Sequence, residues 1–212
     1  MNSKSGSFSM HEQQRTLKLW KKGLVEIDPY LRGKQDNRTG LTLRIRPPKD
    51  VCDQLHDDLS KAELPHAVYF YPPGDMHITL LTLVSCRAEY LPDSRDMTVY
   101  IDKLGPFFSA SPSIRFEMQQ MVAVPSGFIL AGTSRSNALK RLRSDLNKKL
   151  QQLEDRLHPV SRYELKQAHI TLARFRAIPD RWQTLLDLMS NPSLMQSFTG
   201  KEIELVHNDW YH

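Results

Sequence analysis

Two identical tetrapeptides, His-Ile-Thr-Leu, are the clearest candidates for chemistry in this chain, and they begin at His77 and His169. The unperturbed pKa of histidine is about 6.5, so one imidazole can be protonated while another is neutral near neutral pH. Such a pair can supply the general acid and the general base of one reaction. The hydroxyls of Thr79 and Thr171 can donate hydrogen bonds to oxygens on which negative charge develops. We therefore predict the two histidines as catalytic residues and the two threonines as substrate-binding residues.

The spacing within each motif places its histidine and its threonine on one face of a β-strand. Side chains two positions apart in a strand share a face, so the isoleucine and the leucine of each motif point the other way. Each strand would present an imidazole and a hydroxyl to a cleft and branched apolar side chains to a core. A single His-x-Thr is more often a hydrogen-bonded core histidine or part of a solvated face. Two matching copies favour the functional interpretation.

Hydrophobic periodicity predicts the elements that position these strands. Strands are predicted at 40–46, 66–71, 76–84, 114–118, 127–132, 168–175 and 201–206. Helices are predicted at 11–27, around Val51, Leu55 and Leu59, at 136–157 and at 180–190. An amphipathic helix precedes each motif strand, which predicts two pseudo-duplicated halves.

The helix at 136–157 has the strongest pattern, a leucine stripe at spacings of three and four. Packing on a sheet is the favoured interpretation of this stripe, and a coiled-coil seam is the alternative. The basic residues between the leucines could contact phosphates, although a solvated helix face is their expected position. They include Lys140, Arg141, Arg143, Lys148 and Lys149.

The motifs of other catalytic and cofactor-dependent classes are not found. A catalytic zinc usually has three protein ligands, and neither tetrapeptide has a further ligand at a suitable spacing. Asp75 is expected to form a turn rather than to bind a metal. There is no Gly-x-Ser-x-Gly element and no phosphate-binding glycine loop, and Cys52 and Cys86 are expected to be small buried hydrophobes. We expect no metal and no cofactor.

The paired motifs at 77–80 and 169–172 resemble those of the 2H phosphoesterase superfamily. This superfamily includes RNA 2′,3′-cyclic phosphodiesterases, the enzymes called 2′-5′ RNA ligases, and oligoadenylate-cleaving relatives. The similarity in layout extends from about Gly40 to Val206, although only the motif strands are specific. The resemblance implies an α+β, bilobal fold, in which two pseudo-duplicated lobes with antiparallel sheets line a central cleft and the helices lie outside.

The predicted domain organisation is simple. Residues 1–10 form a flexible polar tail, and 11–212 form a single bilobal domain. The first motif lobe is placed at about 40–110 and the second at about 111–206. A chain of 212 residues is long enough for one domain of this size.

Three further residues are candidates for substrate binding. Arg174 follows the second motif, as an arginine does in some members of the superfamily, so it is either a phosphate-binding or a structural residue. Strict alternation points Arg174 away from His169 unless a bulge changes its direction, which favours the structural role. Tyr71 precedes the first motif and Tyr163 the second, and either ring could stack on an unpaired base, although core packing is the commoner role of such aromatics.

Charge and hydropathy limit the partners. The net charge is +5 and the pI about 9.2, a mild excess that favours an anionic ligand. No segment approaches the roughly 20 apolar residues that span a membrane, and the N-terminal segment has no signal-peptide core. We expect a cytoplasmic monomer that does not bind membranes and whose partner is an RNA or nucleotide phosphodiester.

The leading hypothesis for function is a metal-independent phosphodiesterase that hydrolyses a 2′,3′-cyclic phosphate on RNA or nucleotides, with 2′-5′ RNA ligation as a possible side activity. A second hypothesis is a hydrolase of 2′-5′-linked or cyclic oligonucleotide signals that uses the same histidines. A third, of another class, is a non-catalytic RNA-binding module. Two intact motifs argue against the third hypothesis.

Overall fold

The structure is a computed structural model that describes residues 10–64, 66–109, 113–152 and 167–209. The predicted tail lies outside these ranges apart from Met10, and Tyr163 also lies outside them. The helices are α1 (Met10–Trp20), α2 (Lys49–Ser60), α3 (Ser94–Ser109), α4 (Ala138–Gln151) and α5 (Trp182–Met189). The strands are β1 (Arg38–Ile45), β2 (Val68–Phe70), β3 (Ile78–Ala88), β4 (Ile114–Val124), β5 (Gly127–Ser134), β6 (Ala168–Phe175), β7 (Gln196–Gly200) and β8 (Ile203–Asp209).

The described strands form one antiparallel sheet in the order β7-β4-β5-β6-β3-β1-β8, and β2 pairs with β6. The two motif strands, β3 and β6, are neighbours at the centre of this order. Helices combined with an antiparallel sheet confirm the predicted α+β class, with a central cleft. The sheet is continuous from one half of the molecule to the other.

The C-terminal strands return to both halves of the sheet. Strand β7 pairs with β4, whereas β8 pairs with β1, with Arg44 opposite Glu204. The chain therefore crosses the sheet after β7, so residues that close the first half come from the end of the sequence. The predicted division of the chain at about residue 110 remains a prediction.

The core lies on the face of the sheet that carries the helices. Strand β1 buries Leu41, Leu43 and Ile45 there, at 0, 0 and 2% exposure, as its alternation predicts. The leucine stripe of α4 joins the same cluster through Leu139, Leu142, Leu146 and Leu150. A helix packed on the sheet is therefore the correct interpretation of this stripe. Cys52 is buried as expected, and burial raises the pKa of its thiol to about 11.

Three element predictions differ from the structure. The first helix ends at Trp20 rather than near residue 27, because Gly23 adopts a left-handed conformation (φ 72°) and its N–H bonds to the Trp20 carbonyl. Helix α3 was not predicted, and Pro106 lies inside it. Strand β7 was also missed because it has only five residues. No helix in the described ranges has the length and apolar character to cross a membrane.

Helix α1 covers the part of β4 that extends beyond its pairing with β7. The indole Nε1 of Trp20 donates to the Val124 carbonyl (3.1 Å), and the amide of Gln13 donates to the Met121 carbonyl (3.1 Å). The Trp20 ring is 1% exposed and packs edge-on against Phe175, with a centroid distance of 5.0 Å. These side chains donate hydrogen bonds to carbonyls of β4 that would otherwise be unpaired at an open edge of the sheet.

We expect Trp20→Ala to destabilise the fold by about 3–5 kcal/mol, because it removes a buried aromatic ring and its hydrogen bond. Trp20→Phe retains most of the packing and should cost less. Urea unfolding of both variants gives the two free energies. A loss below about 1 kcal/mol in Trp20→Ala would show that α1 is not part of the cooperative fold.

Candidate active site

The first motif histidine is oriented by the turn before β3. Residues Pro73–Asp75 form a short 3₁₀ turn, and His77 directly precedes the strand. Its Nδ1 lies 2.6 Å from the carbonyl oxygen of Asp75, and since that oxygen can only accept, Nδ1 carries the proton. In the neutral ring, Nε2 is then the unprotonated nitrogen. The expected turn role of Asp75 is confirmed, and its backbone fixes the tautomer of His77.

The second motif histidine is held in the same way. His169 lies in β6 and hydrogen bonds with the backbone of Gln167, again two residues earlier in the chain. The side chains of His169 and Thr171 are partly exposed, whereas Ile170 and Leu172 are fully buried. The same alternation holds for Thr79 between Ile78 and Leu80 in β3. Both motifs therefore present polar side chains away from the core, as the spacing predicts.

The pairing of β3 with β6 brings the two motifs together. Ile78 is the pairing partner of Ile170, and these residues hold the same position in the two tetrapeptides. A local twofold axis therefore passes between them. Continuing this register by one residue in each direction would set Thr79 beside His169 and His77 beside Thr171. In a regular antiparallel ladder such diagonal positions are about 7–8 Å apart at the backbone, a spacing that leaves room for a phosphate between two imidazoles.

A β-bulge follows the threonine in each motif. The pairing of β1 with β3 skips Leu80, and the pairing of β5 with β6 skips Leu172. Each bulge reverses the alternation of side chains between the two faces of the strand. In β6, Leu172 and Ala173 are therefore both buried, and Arg174 is partly exposed. Arg174 consequently shares the cleft face with His169 and Thr171, in contrast to the orientation expected from strict alternation.

The two aromatic candidates have different positions. Tyr71 is 3% exposed, and its hydroxyl accepts a hydrogen bond from Nε of Arg174 (2.9 Å). Its ring therefore has no face open to a base, and the contact holds the guanidinium of Arg174. Tyr69, which was not selected from the sequence, pairs with Arg174 across the strands and is only partly buried. Tyr163 lies outside the described residues, and its proposed role stays a prediction.

The sequence interpretation was wrong about Arg143. This α4 residue is 8% exposed rather than on a solvated face. Its guanidinium donates to the carbonyls of Leu80 (3.0 Å), Thr79 (2.5 Å) and Gln167 (3.2 Å). Arg143 thus binds the backbone of both motif strands, including the carbonyl that orients His169. The missed signal is its position among the leucines, one residue after Leu142.

The electrostatics of the site favour neutral imidazoles in the free protein. Burial, together with the charges of Arg143 and His77, lowers the pKa of His169 to about 4, and the hydrogen bond to the Gln167 backbone opposes this effect. Burial also lowers the pKa of His77, an effect that the bond to the Asp75 carbonyl opposes and that Arg44 and Arg46 reinforce. The charge of His77 is among the causes that lower the pKa of His169, which places the two histidines within electrostatic reach of each other.

The site has few groups that could hold a metal ion. Within the described residues, no three His, Cys, Asp or Glu side chains are grouped closely enough to ligate one. The groups that face the cleft are instead imidazoles, hydroxyls and guanidinium groups, which suit an anionic ligand. Metal independence itself stays a prediction.

Solved structures share this architecture. LigT of E. coli, solved in complex with 3′-AMP, matches with a TM-score of 0.52 and 14% identity over 82% of this chain and 97% of LigT. TT0787 of Thermus thermophilus matches with a TM-score of 0.51 and 17% identity over 82% of each chain. Both are 2H phosphoesterases. The chain has their fold.

The resemblance predicted from the paired motifs is thereby confirmed at the level of the fold. A structure described as a phosphoesterase also matches, with a TM-score of 0.52 and 14% identity over 82% of this chain and 97% of that one. Searches with the sequence find no matching family model and no matching curated protein. At these identities the likeness establishes the fold, and the activity of this chain is inferred from its own site.

The depressed pKa of His169 predicts a loss of stability in acid. The unfolded residue titrates near 6.5 and the folded one near 4, so the unfolded chain binds more protons between these values. The free energy of unfolding therefore falls as the pH drops through this window. We expect His169→Asn to show a smaller fall between pH 7.5 and pH 5 than the wild type, measured by urea unfolding. His66→Asn, which alters an exposed histidine, is the control and should retain the full fall. Equal falls in all three proteins would contradict the lowered pKa of His169.

Proposed function

We propose that this chain is a 2H-type phosphodiesterase that hydrolyses a 2′,3′-cyclic phosphate on RNA or a nucleotide, with His77 and His169 as its acid–base pair. The observation that carries the proposal is the pairing of Ile78 with Ile170, which sets two identical His-x-Thr units about a local twofold axis. A phosphate on that axis would meet one imidazole and one hydroxyl from each side.

The reaction needs two proton transfers on opposite sides of phosphorus. One histidine removes a proton from water as the water oxygen bonds to phosphorus, and the other donates a proton to the ribose oxygen as its bond to phosphorus breaks. The product is a phosphate monoester, and the two histidines exchange protonation states, which solvent restores. The hydroxyls of Thr79 and Thr171 donate to the non-bridging oxygens, where negative charge increases in the transition state.

The lowered pKa values explain how substrate binding could prepare the pair. Near pH 7 both imidazoles are mainly neutral in the free protein, because both pKa values are lowered, so the general acid must gain its proton in the complex. A phosphodiester anion placed between them favours a protonated imidazole. Substrate binding and protonation of the acid would then be coupled, and the two macroscopic pKa values of the complex belong to the pair.

The substrate class rests on the charge of the cleft and on its structural neighbours. Arg174 and the basic net charge suit a polyanion. LigT has been solved with 3′-AMP, one of the two monoesters to which a 2′,3′-cyclic phosphate opens. A cyclic end also needs only water as its second reactant, so the site requires a single small pocket for the nucleophile.

We expect His77→Asn and His169→Asn each to reduce kcat on a 2′,3′-cyclic nucleotide by about 10²–10⁴-fold, because each removes an obligatory proton carrier. The double variant should cost little more than either single variant, since the two residues act as one unit. The measurement is product formation by chromatography, with folding checked by circular dichroism.

His66→Asn is the matched control, because it makes the same chemical change at an exposed position. Its kcat should remain at the wild-type value. Near-wild-type turnover in either folded motif variant would refute the assignment. The same assays on 2′-5′-linked and cyclic oligonucleotides test the second hypothesis, and RNA binding without turnover of any phosphodiester would favour the non-catalytic module.

We also expect activity to persist in excess chelator, because imidazoles and hydroxyls supply the acid, the base and the electrostatic stabilisation. The measurement is kcat after dialysis against EDTA, with and without added Mg²⁺, Mn²⁺ or Zn²⁺. Loss of turnover on chelation, restored by one of these ions, would contradict a metal-free mechanism.

A further inference from the structure

On the two sides of the cleft, the strands next to the motif strands pair with them in the same way but carry different side chains. In the first half, Arg44 of β1 pairs with Thr79. In the second half, the equivalent partner of Thr171 is Ile129 of β5. Ile129 belongs to a small apolar cluster with Val122 and Ala131, separate from the main core. At the strand position that pairs with the motif threonine, the local twofold symmetry is therefore broken: the first half has a cationic residue there and the second half an apolar one.

The cationic wall is a trio of charged residues: Arg44 in β1, Arg46 just after the end of β1, and Glu204 in β8. Glu204 of β8 accepts hydrogen bonds from Nε of Arg44 (2.8 Å) and from Nε and Nη2 of Arg46 (3.1 and 3.2 Å). Nη1 of Arg46 donates to the carbonyl of Gly74, in the turn before His77. Burial acts to raise the pKa of Glu204, but the bonds from Arg46 and Arg44 outweigh it and lower the pKa. The trio keeps a net positive charge.

Arg44 has donors that the fold does not use. Its side chain is 9% exposed, yet among the described residues it makes one hydrogen bond, from Nε. Its two terminal nitrogens have no hydrogen-bond partner among the described residues, and the residue pairs with Thr79 of the first motif. A nearly buried guanidinium is costly unless its donors are satisfied, which favours an anion as their partner. The other two side chains of the trio are more exposed than that of Arg44, at 30% for Glu204 and 36% for Arg46.

We propose that Arg44 and Arg46, positioned by Glu204, form a second anion subsite that binds the phosphate next to the scissile one along the nucleotide chain. This inference rests on the proposed function for the position of the scissile phosphate. That phosphate lies on the twofold axis between the motifs, whereas the trio lies to one side. In a substrate with a terminal cyclic phosphate, the nucleotide chain likewise extends from the scissile phosphate on one side only. The neighbouring phosphate of that chain could therefore lie against the trio.

The test compares two substrates that differ by one phosphate: adenosine 2′,3′-cyclic phosphate and the same nucleotide with a 5′-phosphate. We expect the wild type to prefer the 5′-phosphorylated form in kcat/KM by about tenfold or more, because hydrogen bonds to charged groups contribute roughly 1.5–3 kcal/mol. Arg46→Gln and Arg44→Gln should bring this ratio close to one. Arg115→Gln, which removes an exposed charge from β4, is the matched control and should keep the wild-type ratio.

Equal losses on both substrates would overturn the inference, since the arginines would then act on the scissile phosphate or on folding alone. An absent preference in the wild type would overturn it as well. If Arg44→Gln does not fold, Arg46→Gln decides, because its side chain is more exposed.

A binding measurement separates this inference from the proposed function. Calorimetry compares 3′-AMP with adenosine 3′,5′-bisphosphate on the wild type and on Arg46→Gln. A preference for the bisphosphate that is lost in Arg46→Gln supports the subsite even if no cyclic phosphate is turned over, and turnover without such a preference supports the function and overturns the subsite.

Discussion

The single pairing of Ile78 with Ile170 is the constraint on which the site depends. Two strands that pair at one position and then separate open a cleft, but they also leave backbone carbonyls without a strand partner. Buried carbonyls must find donors, and Arg143 supplies them to Thr79, Leu80 and Gln167. The cleft is therefore possible because a helix side chain replaces the strand that is absent there. The planar guanidinium, with five donors, suits this task better than lysine would.

The same argument explains why the site is built from strands rather than loops. Each motif strand is paired on its outer side, β3 with β1 and β6 with β5, so the backbones of Thr79 and Thr171 are fixed. The bulges after the threonines end the regular alternation and turn the next polar position back into the cleft. Gly127 permits this at Arg174, since a Cβ at residue 127 would overlap the Ala173 carbonyl. Rigid strands thus hold groups that must be correctly placed before the substrate arrives.

Local patterns in the sequence were sufficient for the motif strands and the helix packing of α4, because these depend on periodicities of two and of about 3.6 residues. The fold class followed from the resemblance of the paired motifs to those of a known superfamily. For Arg174, the sequence left a bulge that turns the side chain into the cleft as the less favoured alternative. The doublets Leu80-Leu81 and Leu172-Ala173 interrupt the alternation where the bulges occur. Burial of Arg143 depends on carbonyls that are 24, 63 and 64 residues away in the chain, and the pair of Arg44 with Glu204 joins positions 160 residues apart. Such contacts are set by strand order, which one sequence does not reveal.

Desolvation links the fold to the proposed chemistry. Burial lowers the pKa of both motif histidines, and nearby arginines reinforce the effect, so the empty site disfavours any further positive charge. The same low-dielectric surroundings strengthen the attraction between the site and an anion. A phosphodiester then compensates the surrounding cations and restores to one imidazole the basicity that burial removed. The protonated state needed for catalysis would thus form mainly when substrate is bound, and this requires the imidazoles, the arginines and the hydroxyls to be in place before binding.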